Sequence, residues 1–190
     1  MWLTTERLIL RDFVESDWPA MLEYQREESF LRYHPWESRG EADVRSLLGR
    51  FIQWQEEEPR HRFQLAITRR GSDEVIGSVG VRANDPGGLI ADLGFELAPR
   101  CWGKGFATEA ASAMLEFGFQ QMELHRITAH CIAENTASAR VLERIGMRPE
   151  GRLREAEYFR GRWWDVLLYA VLSSDPRPAD ISRSWTDGGT

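Results

Sequence analysis

A glycine-rich segment in the middle of the chain has the residue types needed to bind a phosphate. Gly103 and Gly105 flank Lys104, directly before a run that is predicted to be helical. Glycines let the backbone approach a ligand closely, and the free N–H groups in the first turn of the following helix point toward whatever lies there. The helix dipole adds a partial positive charge, and the lysine can add a whole one. This spacing therefore predicts an anion site for a phosphate compound.

Two common phosphate motifs do not fit this segment. A P-loop needs four residues between its glycines and a Lys-Ser/Thr pair after the second, and Gly103–Lys–Gly–Phe–Ala–Thr108 has neither. A dinucleotide-binding fingerprint needs a third small residue and an acid at the end of the next strand. Here Thr108 holds the third position and Glu123 precedes its strand. The run before the glycines also alternates, where a buried parallel strand would be uniformly apolar.

The composition narrows the class of protein that carries this site. With 190 residues, 42% of them hydrophobic and 28% charged, the chain is expected to form one folded domain. Its net charge of −6 argues against broad binding of nucleic acids, whose protein partners carry a basic face, and suits a cationic substrate. Two cysteines and four histidines without ligand spacing predict no metal site. Without a leader or a long apolar run, a cytoplasmic protein with no membrane contact is expected.

Apolar periodicity and turn-forming residues predict the elements that must position the glycine segment. Their order is β-α-α-β-β-β-α-β-α-β-β. Three strands joined by short turns precede the glycines and indicate an antiparallel meander. The strands are predicted at residues 7–13, 62–68, 75–83, 89–97, 126–132, 147–158 and 164–172, and the helices from residue 18 and at residues 41–58, 106–122 and 136–145.

Two segments fall outside this pattern. Residues 29–39 are irregular and rich in aromatic side chains, and we interpret them as a loop over a pocket. Everything after Ser173 is rich in Pro, Ser, Asp and Gly, which favours a flexible tail. The expected boundaries are therefore a domain at residues 1–173 and a tail at residues 174–190.

A second motif follows one strand after the glycines, where Asn135–x–x–Ser138 opens a helix that ends at Gly146. The chain resembles the GNAT superfamily of acyl-CoA-dependent N-acyltransferases in the order of its motifs. That order is a strand, Trp102–Gly–Lys–Gly–Phe–Ala107, a helix, a strand, Asn-x-x-Ser, a helix and Gly-Met. The similarity runs from Glu6 to Leu172. A lone Gly-x-Gly is weak evidence, whereas several motifs in the right order are specific.

Two further segments resemble the branch of that superfamily that includes the ribosomal-protein N-terminal acetyltransferases. They are Thr5–Glu–Arg–Leu–Ile–Leu–Arg11 and Gly151–x–Leu–x–x–Ala–Glu–Tyr158, the latter with Asp165. The resemblance implies a single α/β (α+β) domain with a mixed, mostly antiparallel sheet of about seven strands and about four flanking helices. It also implies that two strands part to bind acetyl-CoA as co-substrate, without a metal.

The resemblance further implies which residues hold the CoA. The pyrophosphate would rest on the loop–helix junction, which comprises Trp102, Gly103, Lys104, Gly105, Phe106 and Ala107. The pantetheine arm would pair with the strand that ends at Leu97 and Ala98. Asn135 would hydrogen-bond the arm or a phosphate, and Arg140 would either reach the CoA or remain a plain surface charge.

Acetyl transfer to an amine needs a neutral amine, a polarised thioester carbonyl and a proton for the departing thiolate. By resemblance Ser138 protonates the thiolate, with Tyr158 as the alternative. Glu157 would accept the ammonium proton or bind the cation, and Glu96 is a second candidate base. The competing interpretations are helix capping by Asn135 and Thr136, with the serine a mere first-turn polar residue, and solvated strand acids for the glutamates. Cys101 beside the glycines invites a covalent mechanism, but direct transfer needs no thiol.

The expected reaction is direct attack of a primary amine on acetyl-CoA. The resemblance favours a protein N-terminal amine, such as that of a ribosomal protein, as the acceptor. A small-molecule amine is the alternative, for example an antibiotic, an aminoacyl-nucleotide toxin or a polyamine. A non-catalytic CoA-binding sensor is the rival from another class. Many members of the superfamily pair as homodimers, although the chain itself carries no decisive interface signal.

Overall fold

The computed structural model describes residues 1–83, 85, 87–176 and 178 and the backbone of residues 186–187, and within these the chain forms nine strands and five α-helices. The strands are β1 (Trp2–Thr4), β2 (Leu8–Asp12), β3 (Arg62–Arg69), β4 (Val75–Ala83), β5 (Ile90–Leu97), β6 (Arg126–Ile132), β7 (Arg148–Phe159), β8 (Arg162–Leu172) and β9 (Thr186–Asp187). The helices are α1 (Trp18–Gln25), α2 (Glu28–Leu31), α3 (Glu41–Gln55), α4 (Phe106–Gln120) and α5 (Thr136–Arg144).

All nine strands belong to one sheet, in the order β7-β8-β6-β5-β4-β3-β2-β1-β9. Every neighbouring pair is antiparallel except β5 and β6, which run parallel. The chain enters β6 through α4, because a parallel neighbour requires a crossover connection. The expected mixed, mostly antiparallel sheet and the meander β3–β4–β5 are both confirmed.

Helices cover both faces of the sheet. The ring of Phe117 on α4 lies 4.8 Å from that of Phe63 on β3, and register through β4 places Leu93 on the same face. Because side chains alternate along a strand, Glu96 lies on the opposite face. There it contacts Tyr24 of α1, and α3 packs beside α1.

The small residues of α4 let this helix approach the sheet closely. A β-carbon on Gly118 would lie only 2.8 Å from Cδ1 of Ile127, so a larger residue would require the side chains packed against it to shift. Ala110, Ala111 and Ala113 of the same helix are fully buried. This close packing fixes the position of the N-terminus of α4, where the predicted anion site lies.

Several elements differ from the sequence-based expectation. The segment at residues 29–39 is partly helical, because α2 occupies Glu28–Leu31. The predicted helix 41–58 ends at Gln55, since three consecutive glutamates follow and negative charge is unfavourable at a helix C-terminus. The strands β1 and β9 were not expected, as runs of three and two residues carry no readable alternation.

The predicted tail, residues 174–190, lies mostly outside the described residues. Within it the structure describes residues 174–176 and 178 and the backbone of β9, which pairs with β1. No helix in the described part of the chain is both long enough and apolar enough to span a bilayer.

Candidate active site

The parallel strands β5 and β6 part from one another halfway along their length. They pair only from Ile90 with Arg126 to Asp92 with Thr128. Beyond that point β5 stays paired with β4 and β6 stays paired with β8. A wedge-shaped gap therefore opens between the C-terminal halves of the two strands, as the resemblance implies.

Main-chain groups of β5 face this gap. The N–H of Ala98 donates to the carbonyl of Ile76 in the direction of β4 at 2.8 Å. Since backbone groups alternate in direction along a strand, those of Leu93, Phe95 and Leu97 point toward the gap. The carbonyl of Leu97 already accepts a 2.8 Å hydrogen bond from the indole N–H of Trp102. The main-chain groups of β5 that face the gap therefore begin at Leu93, earlier in the strand than the predicted Leu97 and Ala98. The N–H of Ala98 itself faces β4.

A cavity of about 180 Å³ occupies the gap. The strands contribute Arg82 of β4, Leu93, Gly94 and Phe95 of β5 and Ala129, His130 and Cys131 of β6 to its walls, and α5 contributes Ser138 and Leu142. The cavity thus brings the predicted proton donor, Ser138, next to the exposed edge of β5.

Both glycines of the loop adopt a backbone conformation that other residues rarely take. Gly103 and Gly105 have φ angles of 72° and 80°, in the left-handed region that favours glycine. The first helical hydrogen bond of α4 runs from the N–H of Glu109 to the carbonyl of Gly105. The N–H groups at Gly105, Phe106 and Ala107 thus precede the intrahelical ladder, and the cap residue has no side chain to accept from them.

The side chain of Lys104 folds back onto the loop. Its Nζ donates to the carbonyl of Arg100 at 2.8 Å. The ammonium group therefore stabilises the turn that leads into α4, and its charge remains within the same loop. Backbone donors and this charge together make the junction electropositive.

Asn135 and Ser138 are joined at the start of α5. The Oδ1 atom of Asn135 accepts a 3.2 Å hydrogen bond from the N–H of Ser138, so the asparagine caps the helix. This is the structural role weighed for it from the sequence. Arg140 is exposed on the same helix.

Glu96 is held by two fully buried side chains of α1. Its Oε1 accepts hydrogen bonds from the hydroxyl of Tyr24 at 2.7 Å and from Nε2 of Gln25 at 3.0 Å. Burial, and then the charge and hydrogen bond of Glu96, raise the pKa of Tyr24 well above its usual value. The phenol therefore stays protonated and donates, which fixes the orientation of the carboxylate. Glu96 is thus not a freely solvated strand acid.

An aromatic stack lies beside this carboxylate. The His34 ring stacks between Phe30 at 4.6 Å and Trp36 at 4.7 Å, and the Arg39 guanidinium lies 3.8 Å from the Trp36 ring. Burial lowers the pKa of His34 and Arg39 lowers it further, while Glu96 opposes both effects. The imidazole is therefore neutral at pH 7.

Residues 29–39, which carry this stack, also contact the loop that leads into α5. The hydroxyl of Tyr33 donates to the carbonyl of Glu134, the residue before Asn135, at 3.1 Å. Nη2 of Arg160, in the β7–β8 turn, donates to the carbonyl of Trp36 at 3.2 Å. The segment predicted to cover a pocket thus connects the α1 face to the β7–β8 hairpin.

Glu157 and Tyr158 lie on β7, an edge strand that is exposed along nearly its whole length. Glu157 pairs in register with Trp164, whereas the 60% exposed Tyr158 packs its ring 5.1 Å from Trp163. Among the described residues the cavity lining includes Ser138 but not Glu157, Tyr158 or Glu96, and Glu96 lies on the α1 face of the sheet. The structure therefore brings Ser138 to the gap and leaves the Glu157–Tyr158 pair on the hairpin.

The thiol in the cavity is not activated. Burial raises the pKa of Cys131 to about 11, and the charge of Glu143 adds to this effect. Cys101 beside the glycine loop is also buried. A thiol with so high a pKa is protonated at neutral pH, which agrees with direct transfer to the amine. Within the described residues no cluster of three or more His, Cys, Asp and Glu side chains could hold a metal ion.

Sequence reasoning missed the residues that position this site. Tyr24 and Gln25 carry no local motif, and they meet Glu96 only because α1 packs on its face of the sheet. Arg7 and Glu109 are likewise joined across more than a hundred residues of sequence. The one sequence signal that could have drawn attention to α1 is Gln25, a polar residue four positions after Met21 and so on the same face of the predicted helix.

Comparison with known proteins agrees with this geometry. A family model for the acetyltransferase (GNAT) domain matches residues 7–148. The chain is 35% identical over 175 residues to "Uncharacterized N-acetyltransferase YnaD" of Bacillus subtilis, covering 92% of this chain and 99% of that protein. It is 27% identical over 184 residues to the [ribosomal protein uS5]-alanine N-acetyltransferase of Escherichia coli, covering 93% of each chain.

Solved structures of similar proteins share the fold. A GNAT-family acetyltransferase from Bacillus anthracis superimposes with a TM-score of 0.80 at 32% identity, covering 92% of this chain and 100% of that one. Spermidine N-acetyltransferase from Vibrio cholerae, in complex with CoA and spermine, superimposes with a TM-score of 0.75 at 23% identity, covering 88% and 96%. The parted strands, the glycine loop and these matches lead to one conclusion: the chain is an N-acetyltransferase that belongs to the GNAT acetyltransferase family.

Proposed function

We propose that the chain transfers the acetyl group of acetyl-CoA to the N-terminal amine of a protein, of the ribosomal-protein type, by direct attack of the amine on the thioester. The observation that carries this proposal is the gap between β5 and β6, which opens beside the N-terminus of α4 and is lined by Ser138. GNAT enzymes use acetyl-CoA, and the residues present here fit its parts.

The phosphates of CoA would be bound mainly by backbone. The N–H groups of Gly103 to Ala107 lie at the positive end of the α4 dipole, and both glycines leave room for the pyrophosphate. The pantetheine arm would pair with the gap-facing groups of Leu93 and Phe95 as an added strand. Asn135 supports this arm from the start of α5.

The two proton transfers would be divided between the two faces of the sheet beside the gap. Ser138 would donate a proton to the departing thiolate, because it lines the cavity on the α5 side. Glu96 would accept the proton of the attacking ammonium, directly or through water, because Tyr24 and Gln25 hold its carboxylate in one orientation. Glu157 becomes the second candidate, since an exposed strand acid is neither desolvated nor oriented.

The acceptor assignment is supported by the relatives and by the aromatic segment. The relative from Escherichia coli acts on a ribosomal protein, whereas the structural neighbour from Vibrio cholerae acts on spermidine. A polyamine is therefore the second candidate acceptor. Both are cationic amines, which suit the carboxylate of Glu96 and the rings of Tyr33 and Trp36. Acetyl-CoA and ribosomal proteins meet in the cytoplasm, where we place the reaction.

The proposal is tested by measuring CoA thiol release from acetyl-CoA with a panel of amines. The panel contains peptides that copy ribosomal-protein N-termini, the same peptides with a blocked N-terminus, and spermidine. Release with the free peptides alone supports the proposal. Release with spermidine alone assigns a small-molecule acceptor, and CoA binding by calorimetry without turnover on any amine assigns a sensor. Absence of CoA binding contradicts the proposed co-substrate itself.

A further inference from the structure

Arg7, in the turn between β1 and β2, reaches the glycine loop from 97 residues away in sequence. Its Nη1 donates to the carbonyl of Lys104 at 2.9 Å, and its Nε donates to Oε2 of Glu109 at 2.7 Å. Its guanidinium also lies 4.8 Å from the ring centre of Phe106. One side chain thus contacts the loop, the first residue of α4 and the first turn of that helix.

The anchor of this arginine is itself fixed. Oε1 of Glu109 accepts a 2.6 Å hydrogen bond from the hydroxyl of Thr5 and a 2.8 Å bond from the backbone N–H of Arg7. Thr5 is buried, and the carboxylate of Glu109 is largely removed from solvent. A charged pair with several hydrogen bonds and partial burial holds its geometry better than an exposed surface pair. The guanidinium of Arg7 is therefore kept in one position.

That position constrains the peptide between Lys104 and Gly105. In a trans peptide the carbonyl and the following N–H point in opposite directions. Because the carbonyl of Lys104 points at Arg7, the N–H of Gly105 points away from it. This peptide turns about ψ of Lys104 and φ of Gly105, and glycine does not resist a change in φ, so without a partner for the carbonyl the peptide would rotate easily.

We propose that Arg7 is a positioning residue for CoA binding, which holds the Lys104–Gly105 peptide so that the N–H of Gly105 is directed at the pyrophosphate. The inference deepens the proposed function and rests on its use of acetyl-CoA. Arg7 needs no contact with CoA in this role, because it acts through the carbonyl of Lys104. A β-carbon on Gly105 would lie 3.3 Å from Nη2 of Arg7, which shows how closely the two are packed.

The test compares CoA affinity and acetyl-donor kinetics in the full chain. Arg7→Met keeps an unbranched side chain and removes the guanidinium, whereas Arg7→Lys keeps the positive charge without the guanidinium. Arg45→Met is the matched control, since Arg45 forms an exposed ion pair with Glu41 on α3, away from the loop. CoA dissociation constants are measured by calorimetry, and KM is measured for acetyl-CoA and for acetyl-pantetheine, which has no pyrophosphate.

We expect Arg7→Met to raise the CoA dissociation constant and the KM for acetyl-CoA about tenfold, the value of one charge-assisted hydrogen bond. Turnover of acetyl-pantetheine and kcat with acetyl-CoA should remain as in the wild type. Arg7→Lys should be nearly as weak as Arg7→Met, and Arg45→Met should match the wild type.

Three results would overturn the inference. Equal losses with acetyl-CoA and acetyl-pantetheine would reveal a general structural role, and full rescue by Arg7→Lys would reveal charge alone. If Arg7→Met does not fold, Glu109→Gln replaces it, because glutamine keeps an oxygen for Thr5 and loses the charge that holds Arg7. Unchanged CoA affinity in Glu109→Gln would also overturn the inference. A wild-type chain that binds no CoA contradicts the proposed function before any variant is compared.

Discussion

The hydroxyl of Tyr24 donates a 2.7 Å hydrogen bond to the carboxylate of Glu96, and this contact links the first helix of the chain to β5, one of the two parted strands. Tyr24 is fully buried, so the phenol has little freedom to turn elsewhere. A base that is pre-oriented in this way loses little entropy when the amine arrives. The contact supports the proposed role of Glu96 as the base.

Replacing Glu96 with glutamine should lower kcat about a hundredfold, the usual scale for loss of a positioned general base. The side chain keeps its size and can still accept from Tyr24, so the CoA dissociation constant should not change. Steady-state thiol release and calorimetry measure the two quantities. Glu157→Gln serves as the matched variant on the exposed strand β7 and should retain most of the activity. The reverse ranking would return the role of base to Glu157.

Replacing Ser138 with alanine should lower kcat roughly tenfold to a hundredfold and leave CoA affinity unchanged, because the thiolate then leaves without its proton donor. The helix cap should survive, since Asn135 accepts from the backbone N–H of Ser138 and not from its hydroxyl. Thermal unfolding checks this point.

Asn135→Ala is the comparison for Ser138→Ala. It removes the cap and should cost about 1 kcal/mol of unfolding free energy. If Ser138→Ala is fully active on the same acceptor, the proton comes from elsewhere and Tyr158 is tested next.

Replacing Trp102 with phenylalanine should loosen the connection between the glycine loop and the end of β5. The indole N–H donates to the carbonyl of Leu97 at 2.8 Å, and phenylalanine keeps most of the ring without that donor. We expect a loss of about 1 kcal/mol in unfolding free energy and a threefold to tenfold rise, approximately, in the KM for acetyl-CoA. Trp163→Phe, at an exposed site on β8, is the control. An unchanged KM in Trp102→Phe would show that the loop holds its shape without this bond.

The thiol of Cys131 should react slowly with iodoacetamide at neutral pH and faster as the pH approaches 11, because burial raises its pKa to about 11. Labelling is measured in the Cys101→Ser variant, in which Cys131 is the one remaining cysteine. The raised pKa means that the folded state favours the neutral thiol. This contribution to stability is complete below the pKa of the unfolded thiol and is lost as the pH rises through about 11.

The same variant unfolded in urea provides the reference for this labelling. There the thiol should titrate near its ordinary pKa of about 8.5. Rapid labelling of the folded protein at pH 7 would show an activated thiol and reopen a covalent mechanism.

The sequence by itself determined the features that depend on local backbone chemistry. The left-handed conformations at Gly103 and Gly105, the start of α4 and the Asn135 cap follow from residue types within one or two turns of each other. Most strands followed from alternation and turn residues, because side-chain period and backbone dihedral preferences are local properties. The order of the motifs also sufficed for the family resemblance.

Tertiary structure alone decided which residues meet across the gap. The contacts between Glu96 and Tyr24, and between Lys104 and Arg7, join residues 72 and 97 positions apart. The point at which β5 and β6 separate likewise depends on how each strand pairs with its outer neighbour. No local pattern encodes such contacts, because register and helix packing are set by the burial of the whole core and not by any single segment.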